Sequence, residues 1–375
     1  GREAVIRVHN RMDESTSVHW HGILLPFDMD GVPGISFDGI PAGETFTYRY
    51  PLKQHGTYWY HSHTGLQEQL GHYGQLIVEP AGQDVVEYDL EYTVVLSDWT
   101  FDDPHTVLRN LKTIEGYYNF QRPTLVNLDN QVQNTSKDLG EVIMSRLRWR
   151  WMRMDPTEIA DVTGAAYYYV MNGHTADENW TAHAEPGQRV RLRIANASTM
   201  TYYDFRVPGV PMTVVQADGQ DVKPVETDEL RIAVAETYDV VITMPDAEAV
   251  TLFAETMDRS GYTRGTLSLP GLADATAGIP QRRPRPMRTM EDMGMMMGGE
   301  GHAGHAAKSE PHAGAMHGAS GALPITGLPE RLKHGPDGHG PGSITMAHTA
   351  YRQVTDPGVG LGKDGRHLPV GGMRH

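Results

Sequence analysis

The chain has no cysteine among its 375 residues. Disulfides are therefore excluded, and so is a blue-copper electron-transfer site, which needs a Cys thiolate beside two His and a weak axial Met. The absence does not assign a compartment, because cysteine-free proteins occur on both sides of a membrane. No apolar run approaches the roughly 18 residues of a membrane span. Basic residues are outnumbered, 32 Lys and Arg against 47 Asp and Glu, for a formal net charge of −15. That balance argues against a nucleic-acid partner and attracts cations weakly and non-specifically. No signal peptide heads the chain. It opens Gly1-Arg2-Glu3-Ala4-Val5-Ile6-Arg7-Val8-His9-Asn10, already in strand-like alternation, so a leader has been removed or the N-terminus is cut. The length and an ordinary 39% hydrophobic content predict two or three domains with ample core.

What is present is histidine in pairs. His19-Trp20-His21-Gly22 and His61-Ser62-His63-Thr64-Gly65 each end a run that alternates as a strand does. Residues i and i+2 of a strand project from the same face, so the imidazoles of each pair point the same way, rooted about 6.6 Å apart. That spacing suits ligands shared among adjacent metal ions better than chelation of one. Four neutral imidazoles favour copper, zinc, iron or nickel over magnesium or calcium.

Short alternating runs broken by Gly and Pro continue along the chain. Turn signals fall at Asp30-Gly31, Pro33-Gly34, Asp38-Gly39 and Pro41-Ala42-Gly43. Many short strands at this spacing predict all-β sandwiches. Strands are expected near Ala4–Val8, Thr16–His21, Thr45–Tyr50, Thr57–His61 and Gln75–Val78. A second group is expected near Tyr92–Leu96, Tyr167–Met171, Val190–Ile194, Met212–Gln216, Leu230–Ala235, Asp239–Met244 and Thr251–Glu255. Thr106–Lys112 and Ser145–Met154 read as short helical or irregular segments. From about residue 276 the composition turns to Gly, Ala, Pro, Met and His without hydrophobic period, which predicts a disordered linker.

His19-Trp20-His21-Gly22 followed by Gly56-Thr57-Tyr58-Trp59-Tyr60-His61-Ser62-His63-Thr64-Gly65 resembles the two N-terminal copper motifs of the multicopper oxidases. Leu96-Ser97-Asp98-Trp99, Tyr117-Tyr118-Asn119-Phe120-Gln121, Met152-Arg153-Met154-Asp155-Pro156, Ala235-Glu236-Thr237-Tyr238-Asp239-Val240 and Asp258-Arg259-Ser260-Gly261-Tyr262 are similar to the bacterial copper-resistance branch, the CopA type. The resemblance implies tandem cupredoxin-like Greek-key sandwiches. It gives a first domain over 1–82, a second over 83–275, a Met/His-rich low-complexity linker over 276–345 and the start of a third cupredoxin domain over 346–375. The family's two C-terminal motifs, one of them a His-Cys-His segment, are missing, so the chain reads as the oxidase cut short before its last domain.

By the same resemblance, His19 corresponds to a ligand of the type 2 copper, and His21, His61 and His63 to ligands of the type 3 pair, in a trinuclear centre that reduces O2 to water. Asp30 corresponds to an acid that assists proton delivery; on residues alone it reads as a simple Asp-Gly turn. The expected partners are copper ions, O2 and a small reductant, cuprous ion or a phenolic compound, with twin-arginine export, a periplasmic address and a monomeric protein. Met290, Met293, Met295, Met296, Met297, His302 and His305, with Met287, Met316, His312 and His317 around them, form a second candidate site. Soft thioethers select cuprous ion, and methionine as gap-filler belongs in a core this tract does not have. His9, His55, His72, His105, His174 and His183 are set aside as non-ligands, and the sequons at Asn134, Asn179 and Asn196 as chance matches. Two alternatives remain: a non-enzymatic copper-sequestering protein, and a two-domain oxidase completed by trimerisation, which would still need a Cys. The four-histidine face is expected to be open, with exposed apolar surface around Trp20 and Trp59.

Overall fold

A computed structural model describes residues 2–288 apart from 115, 134–137, 159–164, 273–275, 284 and 286. The Met/His tract from Met290 onward and the expected start of a third domain lie outside these residues.

The first unit is built from β1 (Glu3–His9), β2 (His19–His21), β3 (Thr45–Pro51), β4 (Gly56–His61) and β5 (Tyr73–Val78). β1 and β3 pair antiparallel as one layer; β2, β4 and β5 form the other, in that order. Alternation explains the packing. Ala4, Ile6 and Val8 of β1 and Phe46, Tyr48 and Tyr50 of β3 meet Trp20, Tyr58, Tyr60, Leu76 and Val78 from the facing layer. The aromatic rings supply most of this small core: Trp20 lies edge-on to Tyr48 at 5.2 Å, and Phe46 to Tyr48 at 4.7 Å.

The second unit contributes β6 (Leu90–Trp99), β7 (Tyr168–Met171), β8 (His174–Thr175), β9 (Trp180–His183), β10 (Arg189–Asn196), β11 (Tyr203–Arg206) and β12 (Met212–Ala217). β13 (Gln220–Thr227), β14 (Leu230–Ile232), β15 (Thr237–Thr243), β16 (Ala249–Thr256) and β17 (Tyr262–Ser268) complete it. One sheet runs β13-β12-β15-β10-β6-β7-β8 and the other β14-β11-β16-β17-β9. Most neighbours are antiparallel, but β6 pairs with β10, and β9 with β17, in parallel. Val94, Leu96, Val190, Leu192, Ile194, Val240 and Ile242 of the first sheet face Tyr203, Phe205, Leu252, Ala254 and Leu267 of the second. The all-β expectation holds, and the solved structures reported below share this sandwich architecture.

Among the described residues, three helices interrupt it between β6 and β7: α1 (Pro104–Thr113), α2 (Leu128–Gln133) and α3 (Leu139–Trp151). The residues explain their starts. Asp103 caps α1 by accepting from the main chain of His105 and Thr106, with Pro104 in the first turn, while Asp138 and Glu141 form a reciprocal capping box on α3. α3 therefore begins six residues before the expected segment Ser145–Met154, and α2 was not anticipated. Residues 277–283 also differ from a free linker. Thr251 donates to Gly278 O, Arg206 to Gln281 O, and Arg282 to the buried Glu255 at 2.8 Å, so this stretch straps the second sandwich.

The two units share one junction. β10 reads Arg-Val-Arg-Leu-Arg-Ile-Ala-Asn; its apolar residues enter the second core, and Arg191 and Arg193 point out of the opposite face. Both guanidinium groups are nonetheless buried, because β4 covers them. Arg191 is paired with Asp239 and Asp84, and Arg193 with Glu91 and Asp239. From β4, Thr57 donates to Asp239 at 2.6 Å and its main-chain N–H to Gln216 at 3.0 Å. Buried charge is tolerated here because each member has a partner.

Candidate metal centre

β4 uses its alternation twice. Tyr58 and Tyr60 enter the first core, while Thr57, Trp59 and His61 turn to the second unit. Antiparallel pairing sets His19 of β2 directly opposite His61 and His21 opposite Trp59. The four imidazoles converge. Ring centroids lie 5.6 Å apart for His19 and His21, 5.3 Å for His19 and His61, 4.7 Å for His19 and His63, and 4.9 Å for His61 and His63. One nitrogen from each of His19, His21 and His61 lies within 4.8 Å of the others. His21 Nδ1 and His61 Nε2 are 3.3 Å apart, facing the same point.

The outward nitrogens are engaged. His19 Nδ1 lies 2.8 Å from the main-chain oxygen of Asp30 and 3.4 Å from its carboxylate, which leaves Nε2 toward the cluster. Asp30 reaches His19 because Gly31, at φ +79°, lets the turn press on the start of β2; a Cβ there would collide with Val18 O. Trp59 stacks on His61 at 4.2 Å with 15° between planes. His61 Nδ1 lies 3.0 Å from Glu68 Oε2. Glu68 was not among the residues singled out from sequence; an acid five positions after the second His-x-His pair was the available signal.

At His21 and His63 electrostatics favour the neutral ring. Burial first, then His61, His19 and His63, pulls the His21 pKa down to about 4. Burial and the neighbouring His19 and His61 likewise lower His63. Neutral imidazoles with converging nitrogens are what a soft or borderline metal requires. The donor set therefore fits copper.

The exposure expectation is corrected in part. His63 is exposed and His19 and His21 half-buried, but His61 is only 7% exposed. Trp20 and Trp59, at 4% and 2%, do not border open apolar surface. Trp20 fills the first core, and Trp59 packs with Ala195 and Ala197 at the junction. Of the histidines set aside, His55 lies 3.0 Å from Asp221 and ties the units together, and His72 sits 3.3 Å from Thr16 Oγ1.

Comparison with known proteins agrees with this geometry. Multicopper oxidase family profiles match residues 1–83 and 91–268. The chain belongs to the multicopper oxidase family. The chain is 52% identical over 303 residues to copper resistance protein A of Escherichia coli, a match covering 80% of the chain and 49% of that protein. It is 44% identical over 383 residues to a copper resistance protein A homolog of Pseudomonas syringae pv. tomato, covering 98% of the chain and 63% of the relative. The chain thus spans about half the length of the Escherichia coli relative. Among solved structures, the laccase from Botrytis aclada superposes with a TM-score of 0.53 at 22% identity, covering 76% of this chain and 48% of that one, which supports the fold. Copper is the cofactor this membership implies. Among the described residues, no helix is long and apolar enough to cross a membrane.

Proposed function

We propose that these domains supply the N-terminal half of a trinuclear copper site in a periplasmic copper-resistance oxidase that oxidises cuprous ion or a phenolic reductant and reduces O2 to water. The observation that carries this reading is the convergence of His19, His21, His61 and His63 from two paired strand ends. Bound copper would supply the one-electron steps that O2 reduction needs. The chain's own residues hold and orient it. His19 would serve the type 2 position through Nε2, with Nδ1 held by the Asp30 main chain. His21 through Nδ1 and His61 through Nε2 would serve the type 3 pair together with His63. The Asp30 carboxylate, 3.4 Å from His19, would pass protons toward this face. We expect a monomeric protein. The address rests on the likeness to copper resistance proteins.

The Met/His tract would recruit cuprous ions through soft sulfur donors, with Met290, Met293, Met295, Met296 and Met297 as principal ligands and His302 and His305 assisting. A second reading, non-enzymatic copper sequestration, is favoured by one observation: without cysteine, electrons cannot arrive through a blue-copper site made from these residues. Copper titration of the full chain tests both. His19→Ala with His61→Ala should abolish cluster binding of cupric ion, while deletion of residues 287–317 should lower only the number of cuprous ions bound. Unchanged cupric binding in the double variant would refute the cluster assignment. Turnover of O2 with a phenolic or cuprous substrate by this chain alone would exclude sequestration and reveal another electron route.

A further inference from the structure

The loop between β4 and β5 carries three consecutive polar side chains, Gln67, Glu68 and Gln69, whose partners diverge. Gln67 is 4% exposed. Its Oε1 accepts from Thr16 Oγ1 at 2.7 Å and Ser62 Oγ at 2.9 Å, and its Nε2 donates to Glu14 Oε1 at 2.8 Å and Ser15 O at 2.9 Å. Gln69, 7% exposed, turns to the second unit: Nε2 donates to Asp98 O at 2.9 Å, and Oε1 accepts from Thr199 Oγ1 at 2.6 Å. The loop is therefore pinned on both sides. Glu68 sits between the pins, with Oε2 3.0 Å from His61 Nδ1.

We propose that Glu68 is a positioning residue for His61: its carboxylate accepts the Nδ1–H and so fixes the tautomer that presents a bare Nε2 to copper. The proposal rests on the reading of the histidine cluster as a copper site. A neutral imidazole has one N–H and one lone pair, so whichever nitrogen keeps the proton decides which can ligate. His61 Nε2 is the nitrogen that faces His21 Nδ1 and must be bare. The other acceptor near Nδ1, the Ser62 carbonyl, is longer at 3.3 Å. Trp59, stacked on the ring, resists the flip that would exchange the two nitrogens. His19 is held differently, by a main-chain carbonyl, with its nearest carboxylate at 3.4 Å. A carboxylate on the outward nitrogen also makes an imidazole a stronger donor, and loss of such a partner typically costs ten- to a hundred-fold in metal affinity.

Two variants of the full chain test the assignment, with two readouts each. The tautomer of His61 in the metal-free protein is read from its 15N–1H correlations, and the affinity of the cluster from titration with cupric ion against a competing chelator. Glu68→Ala should move His61 toward the Nε2–H form and weaken cupric binding about ten- to a hundred-fold. Glu68→Gln keeps the volume and an acceptor oxygen; it should retain the Nδ1–H form and lose less affinity, and it keeps the test readable if Glu68→Ala loosens the loop. Unchanged tautomer and affinity in Glu68→Ala would overturn the proposal, as would a Glu68→Gln variant equal to Glu68→Ala in both readouts. His21→Ala separates the two levels. If it abolishes cupric binding while Glu68→Ala has no effect, only the positioning role fails; if it too has no effect, the cluster reading fails.

Discussion

Replacing Asp239 by Asn removes the charge on which both buried arginines of β10 converge. Asp239 is fully buried. Its Oδ2 accepts from Arg191 Nε at 2.9 Å and Nη2 at 2.6 Å and from Arg193 Nη1 at 3.3 Å, while Oδ1 accepts from Thr57. Removing one partner of a buried ion pair costs about 3–5 kcal/mol, because the remaining charge stays buried without compensation. Here the compensation is not wholly lost. Arg191 keeps Asp84 at 2.7 Å, Arg193 keeps Glu91 at 2.9 Å, and the amide oxygen of Asn can still accept. The expected loss is therefore at the lower end, about 3 kcal/mol. At about 2–4 °C per kcal/mol for domains of 150–250 residues, Tm should fall by about 6–12 °C. Calorimetry with a guanidinium unfolding curve measures this; the midpoint should move with little change in slope. Thr57 stands on the strand that ends in His61, so cupric affinity should fall as well. A loss below about 1 kcal/mol would refute the reasoning, since it would mean the arginines are compensated without Asp239.

Three further outcomes are expected. In the metal-free protein the folded His21 pKa of about 4 lies below its ordinary 6.5, so the unfolded chain binds more protons between those values. Stability is then complete above pH 6.5, is lost as pH falls toward 4, and is flat below; after allowance for solvent screening the step is about 2 kcal/mol, and a His21→Gln variant should lose it in denaturant titrations across that range. Gly31→Ala, at φ +79° and against Val18 O, should destabilise by at least about 2 kcal/mol and free His19 Nδ1 from Asp30, visible in the His19 ring correlations; a wild-type His19 signature would contradict this. Asp98→Asn should cost about 2–3 kcal/mol in thermal unfolding, because one of its buried oxygens, which accept from Thr199, Met200 and Thr201, becomes a donor facing donors; a neutral result would count against it.

Much of the architecture was legible because period-two alternation is a strong local signal. The runs around Thr45–Tyr50 and Val190–Ile194 sit inside observed strands, Asp239–Met244 overruns β15 by one residue, and the two His-x-His pairs meet because each ends a strand whose partner is set by register. What was not legible depended on distant residues. β11 is short, and both it and β17 carry polar residues such as Asp204 and Arg264, whose partners lie elsewhere in the chain. α2 has too few residues for a periodic signature. Trp20 and Trp59 looked alike in sequence, one in each motif, yet each is buried against different neighbours. Glu68 offered only its spacing from the second His-x-His pair, and the closed loop is what brings it to His61.

The double use of β4 also constrains how such proteins can be recombined. One face of its six residues belongs to the first core; the other supplies Thr57 to Gln216 and Asp239, Trp59 to Ala195 and Ala197, and His61 to the cluster. A chimera cut between the units would therefore separate β4 from half of its partners. Grafting the first unit from a relative should succeed only when Gln216, Asp239, Arg191 and Arg193 travel with it, so the heritable module is the strand with its matching surface, not the sequence segment that contains the histidines.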